Sequence, residues 1–94
     1  MYLHLGQDVA VLQKEILGIF DLDNTSSSAI TRAYLETAQK DRRLISVGDE
    51  LPRSFIVCEN QRGRTVYLSQ LSTGTLLKRS ETRHFEKQQE AAAG

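Results

Sequence analysis

The sequence predicts an α+β fold, a small antiparallel β-sheet domain with one main amphipathic helix and a C-terminal helix. Three observations lead there. Short apolar runs suited to strands fill the first twenty residues and return over residues 55–69. Between them, residues 28–43 switch to the spacing of an amphipathic helix. Finally, 94 residues with a single Pro and no internal repeat or linker make one domain, with one core and little to spare.

Taken in order, Met1, Leu3 and Leu5 alternate with Tyr2 and His4, the period of a half-buried strand. Gly6-Gln7-Asp8 turns the chain into a second short strand, Val9 to Leu12. Ile16, Leu17, Ile19 and Phe20 form a third, and Gly18 inside it marks a bulge or a close backbone approach. Asp23, Asn24, Thr25 and Ser26 through Ser28 offer oxygens to the free amides of a helix start. The helix follows to about Arg43, with Ile30, Ala33, Tyr34, Thr37 and Ala38 as its apolar positions and Arg32, Glu36, Gln39, Lys40 and Arg43 on another face.

Leu44, Ile45 and Val47 lead into a turn, Gly48-Asp49-Glu50-Leu51-Pro52. Phe55 to Glu59 and Arg64 to Ser69 then read as a hairpin around Asn60-Gln61-Arg62-Gly63. Phe55 and Val57 point one way, Ile56 and Cys58 the other, so the sheet is apolar on both faces. One helix rarely covers both faces, and the second is expected to meet another element or another subunit. Past Leu71-Ser72-Thr73-Gly74 the chain can again be helical. Residues 1–79 are read as the domain and 80–94 as a helical extension with a frayed tail.

The stretch Ile19-Phe20-Asp21-Leu22-Asp23-Asn24-Thr25 resembles the nucleophile motif of haloacid dehalogenase-type phosphatases, in which Asp21 would attack phosphorus and Asp23 would act as acid and base. Phosphoryl transfer needs further cations and carboxylates around a metal. No paired Asp follows at the end of a later buried strand, and the chain is too short for the βα units of that family. As an EF-hand loop the stretch fails at Ser26, where the turn Gly belongs, and at Arg32, where the bidentate Glu belongs. Strand, turn and helix cap is the reading that fits. No enzyme, metal site or cofactor is expected. His4 and His84 have no partner at ligand spacing, and Cys58 alternates with Ile56 as a buried thiol does.

One Cys, no membrane-length apolar segment and no basic, cleavable N-terminus point to a reducing, cytoplasmic setting. The formal net charge is zero, which argues against tight, unspecific nucleic-acid binding. Its distribution is uneven. Residues 1–50 hold five cations against eight anions and residues 51–94 seven against four, so any basic footprint lies in the second half.

Five stretches in colinear order, MYLHLGQDV, EILGIFDLDNTS, ITRAYLETA, LPRSFIVC and VYLSQLSTGTLLKR, together resemble the RemA/RemB-type small regulators, most of all the extracellular matrix regulatory protein B branch of spore-forming Firmicutes. The likeness covers about residues 1–79. It implies a cytoplasmic DNA-binding regulator with a LytTR-like fold, assembled into rings. Where the DNA-binding branch carries a Gly-Arg-Arg-Thr-Arg type segment, this chain keeps Arg53 but has Asp49, Glu50, Leu51 and Pro52 before it. A second family Arg aligns near Glu15, leaving Lys14 as the closest cation.

The candidate DNA-binding residues are therefore Arg53, Arg62, Arg64, Lys14, Arg32, Lys78 and Arg79. Gln61-Arg62-Gly63-Arg64 could follow a phosphate backbone as a wing. Six of the seven, all but Lys14, have a plainer role beside that one. Arg53, Arg62 and Arg64 can be ordinary edge and loop charges, Arg32 part of an i,i+4 charge ladder, and Lys78 and Arg79 cations set against a helix dipole. Two function classes follow: a DNA-binding transcriptional regulator acting as a ring-type homo-oligomer, or a ring-forming protein-interaction module that has lost DNA binding. The +3 C-terminal half favours the first and Asp49-Glu50 the second.

Overall fold

A computed structural model describes residues 1–25 and 28–81. The chain opens with β1 (Tyr2–Gly6) and β2 (Val9–Leu12), an antiparallel ribbon. A single 3-10 turn at Gln13–Glu15 leads to β3 (Ile16–Asp21). The one-turn α1 (Leu22–Thr25) and the main helix α2 (Ala29–Lys40) follow, then β4 (Leu44–Val47), β5 (Ser54–Asn60) and β6 (Gly63–Ser69). A last helix, α3, runs from residue 73 through 79 to 81. Of the expected C-terminal extension, residues 82–94 lie outside the described residues.

The fold is α+β, with two sheets: the ribbon, and a four-stranded sheet in the order β3-β5-β6-β4. β5 pairs antiparallel with both β3 and β6, and the hairpin closes on a two-residue loop, with Asn60 opposite Gly63. β4 departs from the all-antiparallel expectation. It runs parallel to β6 at the sheet edge, where the sequence suggested only a lead into a turn. The intervening loop is fixed at Gly48, whose φ of 94° suits glycine, and a Cβ there would run into the Gln70 side chain. The Gln70 amide oxygen in turn accepts from the Asp49 N–H at 2.9 Å.

Both faces of β5 are buried from Ser54 to Cys58, which is why the stretch is apolar without alternation. On one face the ribbon and α3 close over the sheet, packing Leu3, Leu5, Val11, Val47, Ile56, Cys58 and Leu76 together. The second apolar face thus meets another element of the same chain. Two buried serines, partners across β5 and β6, tie this layer down. Ser54 Oγ donates to the Leu71 carbonyl at 2.7 Å, while Ser69 Oγ donates to the Leu5 carbonyl at 2.7 Å and accepts from Leu71 N–H. Such bonds satisfy groups that burial would otherwise leave unpaired.

On the other face Leu22, Ala38, Phe55, Val57 and Val66 form a second cluster. Here α2 is rotated from the expected stripe. Ala38 is buried, with Leu35 packed against the cluster, while Ile30, Ala33 and Thr37 face outward. The helix packs over β4 and β6, so the inward stripe is set by that end of the sheet. It starts at Ser28, whose Oγ accepts from Thr31 N–H, and ends at Lys40. Arg43 therefore lies beyond the helix and pairs with Asp41 at 3.0 Å. Gly18 sits at a bulge in β3, the first of the two alternatives for that position; what lies directly over it is the Phe20 ring, not a backbone.

Candidate nucleic-acid interface

The seven candidate cations fall in three places. The first is the hairpin tip. Arg62 is in the two-residue loop, where its N–H is held by Asn60 Oδ1 at 2.8 Å and its side chain is exposed. Arg64 stands two residues on, opposite Glu59, and its Nε and Nη2 both donate to Glu59 Oε2, at 3.2 and 2.9 Å. The carboxylate holds this guanidinium above its ordinary pKa, with Tyr34 adding to the effect. Lys14 joins this end of the molecule, because Ile16 pairs with Cys58 and so sets the 3-10 turn beside the outer part of β5.

The second place is the opposite end of the same strands. Arg53 immediately precedes β5, and its Nε and Nη2 reach Asp23 Oδ2 at 3.3 Å each. Arg32 of α2 lines the same open groove, together with Asp23, Glu50 and the apolar Leu22, Leu35 and Leu68. Arg53 and Arg32 thus share a charge-balanced groove with two carboxylates. The third place is α3, where Lys78 is exposed and Arg79 Nη1 donates to the His4 carbonyl at 3.4 Å.

The length of β5 separates the first two groups. At about 3.3 Å per residue, seven strand residues put Arg53 roughly 20 Å or more from Arg62, so one phosphate cluster cannot hold both. Arg53 and Arg64 are also ion-paired, but their side chains and those of Asp23 and Glu59 remain about half exposed. Pairs of that kind contribute about 0–1 kcal/mol, so a phosphate can compete for either guanidinium. Lys14, Arg62 and Lys78 make no ion pair with a described residue.

Asp21 and Asp23, the residues of the phosphatase-like motif, have structural partners. Asp21 Oδ1 accepts from Asp23 N–H at 2.8 Å, the cap geometry that the strand-turn-cap reading expects. Asp23 is the counterion of Arg53, a contact across 30 positions that no local pattern announces. Among the described residues no group of three or more His, Cys, Asp or Glu side chains could hold a metal ion. No helix among them is long and apolar enough to cross a membrane.

The profile of the RemA-like proteins, described as extracellular matrix regulatory protein A-like, matches residues 2–79, from the first strand into the last helix. The chain belongs to the RemA-like family. It is also similar to the extracellular matrix regulatory protein B of Bacillus subtilis (strain 168), with 37% identity over 81 residues, covering 86% of this chain and 91% of that protein. The RemA-like match takes in both sheets, α2 and all seven candidate cations.

One surface was missed by the sequence reading. Leu17, Phe20, Ile30 and Tyr34 lie together in an exposed apolar groove beside β3, with Arg64 at its margin. The available signal was that α2 carries two apolar stripes, of which a single sheet can use one.

Proposed function

We propose that this protein is a cytoplasmic regulator of extracellular-matrix genes that binds DNA as a ring-type homo-oligomer, through phosphate contacts from basic residues. Membership of a family described as matrix-regulatory supports the regulator reading. The observation that carries DNA contact is Arg62, exposed at the tip of a two-stranded hairpin without an ion pair to any described residue, with Lys14 and Arg64 at the same end. Lys and Arg that neutralise phosphates release counterions, and repetition around an oligomer multiplies a modest per-subunit count. Arg53, Arg32, Lys78 and Arg79 serve as secondary contacts on other sides of the subunit. No cofactor is needed.

The second reading is a ring-forming interaction module of the same family without DNA binding. Its support is the acidic company of Arg53, namely Asp23 in contact and Glu50 in the same groove. Fluorescence anisotropy with duplex DNA across a salt series separates the two. The DNA reading expects affinity to fall linearly on a log-log plot, and Arg62→Ala to flatten the slope by about one per lost contact. No binding at low salt by an assembled protein would leave only the interaction module.

A further inference from the structure

Aromatic residues are scarce in this chain, three Tyr and three Phe among 94 residues, yet three of those six gather in the groove beside β3. Phe20 of β3 stacks on Phe55 of β5 with ring centroids 4.8 Å apart and an interplanar angle of 18°, and the Tyr34 ring of α2 meets Phe55 at 6.3 Å. Phe55 is buried, so it forms a floor that holds the other two rings in place. Phe20 remains 45% and Tyr34 36% exposed, with exposed Leu17 and Ile30 beside them. A continuous apolar patch of this kind marks a place where something binds. The groove measures about 380 Å³, at the small end of ligand clefts.

One end of the groove is cationic, and that charge indicates what fills it. Arg64 lines the groove, and Tyr34 lies near enough to help hold its proton, so ring and guanidinium adjoin. Two residues before Arg64 comes Arg62, exposed at the hairpin tip and without an ion pair to any described residue. Glu59 is the carboxylate paired with Arg64, and because both side chains are about half exposed a phosphate can take its place. Rings beside guanidinium groups match the two parts of a nucleotide, a flat base that stacks and an anionic phosphate. A wholly apolar segment would leave the cations idle. A DNA duplex would use the cations but keep its bases shut in the stack. An unpaired base with its phosphates uses both.

We propose that this groove seats an unpaired base of a DNA strand, stacked against Phe20 and Tyr34, while the neighbouring phosphates lie on Arg64 and Arg62. The inference rests on the DNA-binding reading and adds a preference for single-stranded or locally opened DNA, which phosphate contacts alone do not give. Anisotropy titrations of a labelled single strand and of a duplex of equal length test it with Phe20→Leu and Tyr34→Leu. Tyr2→Leu, which removes an exposed ring from the ribbon, is the control, and circular dichroism checks the fold of each variant. Each groove variant should weaken single-strand binding roughly tenfold, as loss of one base–ring stack does, with duplex affinity unchanged. Tyr2→Leu should leave both affinities unchanged, and Arg62→Ala should weaken both. Ultraviolet cross-linking of the wild type to a strand carrying a halogenated uracil needs no variant to fold, and should attach at Phe20 or Tyr34. Cross-links at other residues alone, or folded groove variants with full single-strand affinity, overturn the base site and leave DNA binding standing. Equal losses for strand and duplex overturn it too, because the rings would then act through the fold or the assembly. A wild type that binds neither DNA overturns both readings. Single-strand affinity unmoved by Phe20→Leu, with a fall in assembled mass by light scattering, gives the groove to a second copy instead.

Discussion

Ile56 and Val57 are neighbours on β5, yet they enter two differently finished interiors. Ile56 goes under the ribbon and α3, where it, Leu5 and Leu76 are fully shut off from solvent. Val57 goes toward α2, where Phe20, Tyr34 and Ile30 stay exposed at one side. Dimensions explain the contrast. Four strands about 4.8 Å apart span roughly 14 Å, while a helix is about 10 Å wide, so α2 over β4 and β6 cannot also cover β3. The ribbon face has two elements to spread across the same width, and hydrogen bonds from Ser54 and Ser69 hold them there. A sheet face is sealed when its cover is wide enough and tied down.

Matched truncations give the largest test of that contrast. Leu5→Ala, on the sealed face, should cost about 2–5 kcal/mol in denaturant unfolding, as fully buried leucines do. Leu35→Ala, half-buried on the inward side of α2, should cost clearly less. Equal costs would mean that the faces are equally well packed. Next in size, Ser69→Ala leaves the Leu5 carbonyl and the Leu71 N–H without their partner and should cost about 1–3 kcal/mol. A smaller loss would show that the ribbon is held by apolar contact alone.

Cys58 reports on the sealed face through pH. Burial, with Glu15 adding to it, pushes the thiol from its ordinary 9.0 up to about 11. The unfolded chain therefore loses the proton first, and the thiol's contribution to stability, complete below pH 9, falls as the pH rises through about 11. Cys58→Ala should flatten the stability profile across that window, and an unchanged profile would mean that the native thiol ionises as it does in water. The smallest effect belongs to the open face. At concentrations where the protein is monomeric, Ile30→Ser should shift stability by no more than about 0.5 kcal/mol, as surface changes do.

Local chemistry made much of the fold readable before any coordinates. The Leu3 and Leu5 alternation, the Asn60 to Gly63 turn and Gly18 each carry their own explanation, and each element is where it was expected. β4 was not legible because Leu44 to Val47 is four residues long and its strand character depends on β6, more than twenty positions later. The rotation of α2 failed for a related reason. Ile30 and Tyr34 are as apolar as the inward Leu35 and Ala38, and only the sheet decides between the stripes. For the site, the Glu59 and Arg64 pairing follows from the hairpin register, whereas Arg53 finding Asp23 needed β3 to lie beside β5.

The Ser69 to Leu5 hydrogen bond joins positions 64 residues apart, which constrains the order of events as the chain leaves the ribosome. The ribbon at residues 2–12 is synthesised first, but its docking site on Ile56, Ser69 and Leu76 emerges dozens of residues later. Contacts of such long range must overcome loop closure before they gain anything, and they fold slowly. Leu3 and Leu5 are thus greasy and uncovered through most of translation, and transiently bare apolar strands are where nascent chains aggregate. The best-sealed interior of the folded protein is thus the one whose contacts span the longest stretch of chain, and its first strand has the longest wait for its cover.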